Sequence, residues 1–377
     1  MIVPAALAAA AAIALPSWAP AHVELGLASQ PGGAQHVRAE HATWRYQYLA
    51  GGVNTGSGWS TWNPDGTFAS RYVAESRQAG VTPVLTYYQL LPSRGAGDGK
   101  GEAERDLANL DDADTMKAYY NDFALALRRV HDEDKGRRAV VHVEPDLWGY
   151  VEQRAGASND PASVPAAVAS SGDPRLGGLP DTAAGFAQAL VRLRDVIAPE
   201  VKLGYHMSTW GTGTDPVQQN PSLKAVDGLA GHSGTFYNNL HARFDLVFSD
   251  PSDRDDGFDL KVNHDHGHSR WTAGDYARDE RWLRGMHAVT RLPLVMWQIP
   301  LGNSHLPNTK SRYRDTHVQR LLGPDPRTRR AYRDAGVIAF LFGGGADGTT
   351  SEKTDGGVFQ RLAARYARAR LSTKPSR

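Results

Sequence analysis

Short apolar runs of β-strand type alternate with amphipathic helical segments along most of the chain, and this alternation limits the folds available to it. Seven such runs cover residues 46–50, 83–89, 139–144, 202–207, 245–249, 294–299 and 337–342. Strands that are apolar at nearly every position are typical of a parallel sheet covered by helices. The sequence therefore predicts an α/β fold: a (β/α) barrel of the TIM type with seven or eight parallel strands, formed as a single domain by residues 40–371.

The segments between these runs carry apolar residues at helical spacing. In residues 181–197, Phe186, Leu190 and Leu193 belong to one apolar stripe, and Asp181 is the expected N-cap. Further helices are predicted over residues 67–78, 112–131, 273–289, 327–335 and 357–367.

The long connections follow strands rather than helices. They cover residues 51–63, 90–111, 147–180, 208–221, 250–271 and 302–313. In a closed barrel these loops gather at the C-terminal ends of the strands, where the active sites of TIM barrels lie. An open doubly wound sheet is the alternative, but no Gly-x-Gly-x-x-Gly turn follows the first run.

Composition excludes several classes of function. The 42 Lys and Arg residues are balanced by 41 Asp and Glu residues, so the chain lacks the basic character of a nucleic-acid-binding protein. The absence of cysteine excludes disulfides, thiolate metal sites and a cysteine nucleophile. Neither a Gly-x-Ser-x-Gly nucleophile elbow nor a phosphate-binding P-loop motif occurs. The 9 Trp, 14 Tyr and 10 Phe residues offer flat faces on which sugar rings can stack, although most aromatic residues are expected in the core.

Residues 1–21 are apolar and rich in alanine, and they end in the small-residue pattern Ala19-Pro20-Ala21. This pattern resembles a secretory signal peptide, although the usual basic start is missing. A hydrophobic N-terminal anchor and a buried helix are the alternatives. Because the run is too short and too rich in alanine for a membrane span, we expect a soluble protein secreted to the periplasm or the cell exterior.

The strongest catalytic signal is the sequence VVHVEPDLWG at residues 140–149. An apolar run ends in two carboxylates, Glu144 and Asp146, on either side of a proline. Cleavage of a glycosidic bond requires a carboxylic acid with a raised pKa, and a carboxyl group beside an apolar ring such as that of Trp148 suits this role. Both residues are therefore candidate general acids, unless they cap a helix or pair with an arginine.

These residues resemble glycoside hydrolase family 6, a family of inverting cellulases and cellobiohydrolases with a distorted seven-stranded barrel. In that family a Glu-Pro-Asp sequence ends the corresponding strand and its Asp is the general acid, which implies this role for Asp146. Residues 343–349, GGGADGT, are similar to the family's Gly-Gly-Glu-Ser-Asp-Gly-Thr segment, whose Asp is the proposed base, so the resemblance implies that role for Asp347.

A third similarity covers residues 88–94, YQLLPSR, which resemble the family's Tyr-x-x-Pro-x-Arg-Asp turn. Gly95 stands where the family has an Asp that tunes the pKa of the acid, and Asp98 or Glu102 are possible substitutes. Other departures are Phe342 in place of a lysine, the missing Glu of the glycine-rich segment, and the residue types of His142 and Trp148. The resemblance implies hydrolysis of a polysaccharide with inversion.

The segment DPSDRDDG at residues 250–257 is unusually acidic. Asp250 and Asp253 are further candidates for the second catalytic carboxylate, and a retaining mechanism would need one of them close to Glu144. A calcium-binding loop and a solvated loop are the alternatives.

Polar and aromatic residues at the predicted strand ends are candidates for substrate binding. His206 and Trp297 are equally compatible with core packing. The complete candidate set is Trp59, Tyr88, Gln89, Trp148, His206, Trp210, Trp297, Gln298 and Asn303.

The tract His264-Asp265-His266-Gly267-His268 has the composition of a metal-binding loop, but hydrolytic metal sites usually draw ligands from several strands. We therefore expect no metal and no cofactor. The expected protein is a monomeric secreted glycoside hydrolase acting on a polysaccharide or oligosaccharide, without a nucleic-acid partner and without a membrane contact beyond a possible N-terminal anchor. The alternatives are a non-catalytic carbohydrate-binding barrel and a metal-dependent polysaccharide deacetylase.

Overall fold

Eight parallel strands close into a barrel in the computed structural model, which describes residues 14–136, 138–252 and 254–372. Each strand pairs with the next along the chain, and the last pairs with the first. The strands are β1 (Glu24–Ala28), β2 (Trp44–Leu49), β3 (Thr82–Tyr87), β4 (Val140–Val143), β5 (Lys202–His206), β6 (Leu246–Ser249), β7 (Leu294–Ile299) and β8 (Val337–Phe342). The predicted single-domain TIM-like barrel is confirmed, whereas the seven-stranded barrel implied by the family 6 resemblance is not observed.

Helices surround the barrel. They are α1 (Ala34–Ala39), α2 (Trp59–Trp62), α3 (Thr67–Ala79), α4 (Glu102–Leu110), α5 (Ala113–Asp134), α6 (Pro145–Ala155), α7 (Ala183–Ile197), α8 (Leu223–Asn239), α9 (Asp256–Phe258), α10 (Ala273–Thr290), α11 (His317–Leu322), α12 (Pro326–Asp334) and α13 (Val358–Ser372). The N-cap of α7 is Thr182, whose side chain accepts a hydrogen bond from the Gly185 amide. Asp181, the expected cap, instead accepts hydrogen bonds from two amides of the preceding loop.

Strand β1 has no counterpart among the predicted strands. Its sequence, ELGLA, carries a glycine at the centre, and glycine weakens the strand signal. The structure explains this glycine, because a Cβ atom on Gly26 would lie 2.4 Å from Leu341 Cδ2 and 2.9 Å from Trp44 Cβ. The barrel strands therefore begin well before residue 40, where the sequence placed the start of the domain.

The predicted leader falls partly outside the described residues, since residues 1–13 are not described. Leu15, Trp18 and Ala19 pack against the interior cluster of the barrel, and the Trp18 carbonyl accepts a hydrogen bond from Arg138. Within the described part of the chain, no helix combines the length and apolar character needed to cross a bilayer.

Side-chain alternation along the strands determines which residues face the barrel interior. Val140 of β4, Phe248 of β6 and Trp297 of β7 belong to the inner cluster, whereas Val141 and Val143 pack outward against the helices. Residues at or just beyond the strand ends, among them Asp146, His206 and Asp250, reach the C-terminal mouth of the barrel, where the functional groups collect.

Candidate active site

A cleft of about 750 Å³ opens at the C-terminal ends of the strands. Its walls combine acidic and aromatic side chains, a composition suited to binding sugar hydroxyls and sugar faces. The carboxylates are those of Glu102, Asp146, Asp215, Asp250 and Asp259, and the aromatic rings are those of Tyr48, Tyr88, Tyr150, Trp210 and Trp297.

Asp146 lines this cleft from the first turn of α6. Burial raises the pKa of its carboxyl group, and the charges of Asp250 and Glu102 raise it further. His206 and a hydrogen bond from Tyr88 act in the opposite direction. A half-buried carboxyl group with a raised pKa, open to a cleft, has the properties of a proton donor.

Glu144, two residues earlier, is in a different environment. The residue has a left-handed backbone conformation (φ 46°, ψ 70°), and its side chain is 1% exposed. Its Oε1 accepts hydrogen bonds from the backbone amides of Gln89 (3.0 Å) and Leu90 (3.3 Å), and burial raises the pKa of Glu144 to about 8. Glu144 thus ties the loop after β3 to the end of β4, and this placement disfavours it as the acid.

Asp250, immediately after β6, supplies a second carboxylate to the cleft. Its Oδ1 lies 3.0 Å from His206 Nε2, and the opposite ring nitrogen of His206 lies 3.0 Å from His142 Nε2. Asp146 after β4 and Asp250 after β6 therefore line one cleft across the intervening strand β5, as two groups of an acid and base pair would.

No protein-family model and no curated protein matches this chain. Solved structures match it in fold. They include the family 53 glycoside hydrolase catalytic domain of Ignisphaera aggregans (12% identity, 93% of this chain and 99% of that chain covered, TM-score 0.49) and the AHE enzyme of Alicyclobacillus herbarius (11%, 89% and 85%, 0.50). An engineered protein matches at 10% identity, with 91% and 69% covered and a TM-score of 0.51.

The chain has a TIM-barrel fold. At these identities the similarity concerns the fold alone. Similar structures also include glycoside hydrolases of families 10 and 26, so the families identified for these structures are 53, 10 and 26 and not family 6. The resemblance to family 6 therefore rests on the sequence motifs of this chain.

Asp347, which the family resemblance implied as the base, lies in an exposed turn after β8. Asp347 does not line the cleft, and the cleft-lining residue nearest to it in sequence is Gly345. Asp253 lies outside the described residues. Among the described carboxylates proposed from the sequence as catalytic groups, Asp146 and Asp250 are the two that line the cleft.

Five of the predicted substrate-binding residues line the cleft and four are placed elsewhere. The five are Tyr88, His206, Trp210, Trp297 and Gln298. Trp59 is fully buried, and its indole N–H donates a hydrogen bond to Asp122. Trp148 is buried against Phe186 and Tyr205. Its Nε1 donates a hydrogen bond to the Val143 carbonyl. The Gln89 side chain is fully buried, and the Asn303 amide donates to the Asp355 carbonyl. These four predictions mistook buried polar and aromatic groups for wall residues.

Sequence reasoning missed other wall residues. Tyr48 follows Trp44 and Tyr46 at alternating positions of β2, and this period of two was a usable signal. Tyr150 lies one turn after Asp146 on α6, and its ring centroid is 4.9 Å from that of Trp210. Nothing in the sequence indicates that Asp215 and Asp259, on distant loops, reach the same cleft.

The histidine tract forms a surface turn, in which Asp265 accepts hydrogen bonds from the amides of Gly267 and Ser269. Among the described residues, no group of three or more His, Cys, Asp or Glu side chains has an arrangement able to hold a metal ion.

Proposed function

We propose that this protein is a secreted glycoside hydrolase that cleaves a polysaccharide or oligosaccharide in the cleft, with Asp146 as the general acid. The observation that carries the proposal is the pair of cleft carboxylates, one with a raised pKa and one held by a histidine. Glycosidic cleavage requires two such groups, since one protonates the departing oxygen and the other acts at the anomeric carbon or activates water.

Asp146 is the acid because burial keeps a larger fraction of its carboxyl group protonated at a given pH. Asp250 is the second catalytic carboxylate, because the imidazole of His206 donates a hydrogen bond that favours its ionised form. We propose that Asp250 activates a water molecule and that the anomeric configuration inverts, as the family resemblance implies. A carboxyl separation of about 6.5–9.5 Å leaves room for that water, whereas about 5–5.5 Å would make Asp250 the nucleophile of a retaining enzyme.

The remaining walls suit saccharide recognition. Tyr150 and Trp210 form an aromatic corner on which a sugar ring can stack. Asp215, Gln218 and Gln298 present oxygens and an amide to the cleft, groups that recognise hydroxyls in fixed directions.

The test is release of reducing ends from a panel of polysaccharides by the wild-type protein, Asp146→Asn and Asp347→Asn. We expect hydrolysis of at least one polymer by the wild type, a loss of activity of 100-fold or more in Asp146→Asn (on the order of a general acid's contribution), and near wild-type activity in Asp347→Asn. Circular dichroism confirms that each variant is folded. Full activity of folded Asp146→Asn, or no hydrolysis of any polymer in the panel, would contradict the proposal.

A further inference from the structure

Two histidines form a hydrogen-bonded pair inside the mouth of the barrel. His142 projects from β4 and is fully buried, and His206 ends β5 with 2% of its surface exposed. Their ring centroids lie 5.2 Å apart with 26° between the ring planes, and the ring of Phe248 stacks on His142 at a centroid separation of 3.9 Å. Trp297 contacts both imidazoles in edge-on geometry, so these aromatic rings restrict rotation of the histidine side chains.

The pair belongs to a continuous chain of polar contacts. Thr86 Oγ1 lies 3.3 Å from His142 Nδ1, His142 Nε2 lies 3.0 Å from His206 Nδ1, and His206 Nε2 lies 3.0 Å from Asp250 Oδ1. All four ring nitrogens thus face a partner. This series of contacts leads from the closed interior of the barrel to Asp250, one of the two proposed catalytic carboxylates.

The donor and acceptor properties of these groups determine the direction in which hydrogen bonds are donated along this series of contacts. An ionised carboxylate only accepts hydrogen bonds, so His206 Nε2 must carry the hydrogen that faces Asp250. In a neutral His206 the opposite nitrogen, Nδ1, has no hydrogen and accepts, which requires a hydrogen on His142 Nε2. His142 Nδ1 is then an acceptor for the hydroxyl of Thr86. Every donor in the neutral chain points toward Asp250.

Burial supports a neutral His142. It lowers the pKa of His142 well below the ordinary value, and the neighbouring His206 lowers it further. A hydrogen on both facing nitrogens is excluded at a separation of 3.0 Å, because two donors would oppose each other.

We propose that His142 is a positioning residue that fixes His206 in the tautomer with hydrogen on Nε2, so that His206 holds the carboxylate of Asp250 in place. His142 touches neither substrate nor the reacting atoms and acts through His206. The tautomer assignment follows from the hydrogen bonds of a neutral His206, whereas its effect on catalysis rests on the proposed function.

The tautomer can be measured directly. In a protein labelled with ¹⁵N at histidine, a ring nitrogen that carries hydrogen resonates in a different range from one that does not, and signals missing in His206→Asn identify His206. We expect hydrogen on Nε2 and none on Nδ1 in the wild type at neutral pH. The opposite tautomer, or an imidazolium at neutral pH, would overturn the proposal, and this measurement requires neither a substrate nor a variant of His142.

Substitution of His142 tests its effect on His206 and on catalysis. His142→Phe keeps an aromatic ring against Phe248 but removes the donor, so we expect a mixture of His206 tautomers. We also expect kcat to fall about tenfold with little change in KM, a loss equivalent to about 1.4 kcal/mol of transition-state stabilisation. His142→Gln retains an N–H donor and should preserve both the tautomer and most of kcat.

The outcomes separate the two proposals. An unchanged tautomer and an unchanged kcat in folded His142→Phe would contradict the positioning role. A wild-type protein with the expected tautomer and no hydrolytic activity would contradict the proposed function and leave the hydrogen-bond chain intact. A purely structural role for His142 would lower the stability of both variants without the recovery in His142→Gln.

Discussion

At the scale of single residues, one backbone conformation separates the roles of two neighbouring carboxylates. Glu144 has the left-handed conformation and Pro145 starts α6, so the chain turns between Glu144 and Asp146. The Glu side chain consequently enters the wall of the barrel and binds the backbone amides of Gln89 and Leu90, whereas the Asp side chain faces the cleft. The sequence motif indicated a catalytic carboxylate, but this turn was needed to choose between the two.

Dependence on the leaving group tests the role of Asp146. A dinitrophenyl glycoside departs without protonation, so Asp146→Asn should retain most of its rate on that substrate while losing its rate on the natural polymer. Asp250→Asn should lose activity on both, because the second carboxylate is required whatever the leaving group. The comparison is kcat/KM of each variant on the two substrates, and equal losses for Asp146→Asn on both would remove it from the acid role.

Asp106 of α4 provides a prediction about stability. Its side chain is fully buried, and both carboxyl oxygens lack a hydrogen-bond partner among the described residues. Burial raises its pKa well above the ordinary value, and the charges of Glu144 and Asp146 add to the effect. A group with a raised folded-state pKa contributes stability below its unfolded pKa, and that contribution is lost as the pH rises.

The free energy of unfolding of the wild type should therefore decrease as the pH rises from about 4, near the unfolded pKa of Asp, to about 8. In Asp106→Asn this decrease should be smaller, because residue 106 no longer titrates. Urea unfolding at several pH values measures this difference. Asp98→Asn, at an exposed position of the same loop region, is the matched control and should follow the wild type. Parallel pH dependence of Asp106→Asn and the wild type would show that Asp106 does not carry the effect.

At the scale of elements, α6 both presents Asp146 and provides the surface for the aromatic corner. A Cβ atom on Gly149 would lie 2.5 Å from Trp210 Cη2, so the indole can lie against the helix only where a glycine leaves room. A glycine within a helix is unfavourable by about 1 kcal/mol relative to alanine, and here it makes room for the aromatic wall.

Gly149→Ala should therefore displace Trp210 and raise KM several-fold while kcat changes little, since the proposed role of the indole is to stack on substrate and not to transfer a proton. Gly228→Ala is the control, because an added Cβ at that helical glycine meets no atom within 4 Å. Steady-state kinetics of both variants give the answer, and an unchanged KM in Gly149→Ala would show that the position of Trp210 does not affect binding.

The elements also show which features could be predicted from the sequence. Strands β2–β8 and helices α3, α5, α7, α10, α12 and α13 have strong apolar periodicity, and their predicted bounds lie within a few residues of those observed. The long helix α8 was not predicted. The central glycine of β1 obscured its signal. Trp59 looked like a rim residue because it lies in a polar, glycine-rich loop, but α2 buries its ring. Burial of a loop residue depends on contacts distant in sequence, which periodicity does not report.

At the scale of the whole molecule, the closed sheet explains why a chain with a net charge of +1 carries an acidic cleft. Loops that are far apart in sequence bring five carboxylates to the mouth of the barrel. Barrel closure, which the alternating pattern predicted, therefore brought Asp146 and Asp250 together. The sequence could not tell which second acid would complete the proposed pair, since the candidates lie on two different segments of the chain, residues 250–257 and 343–349.

The opposite end of the barrel is covered by residues 15–19. The Trp18 ring is half-buried, and Lys202 Nζ lies 5.6 Å from the ring centroid. In the full-length chain, which retains residues 1–21, we expect Trp18→Ala to lower the free energy of unfolding by about 1 kcal/mol, roughly half the value for a fully buried side chain. Ser17→Ala, at an exposed position, should leave it unchanged. Equal stability of Trp18→Ala and the wild type would show that this segment does not stabilise the barrel.

The most direct test of the proposed chemistry is a crystal structure of Asp146→Asn with an oligosaccharide that the wild type cleaves. The proposed function predicts a glycosidic oxygen within hydrogen-bonding distance of the residue 146 side chain, and the adjoining anomeric carbon facing Asp250. A saccharide bound outside this cleft, or one whose scissile bond lies away from both side chains, would contradict it.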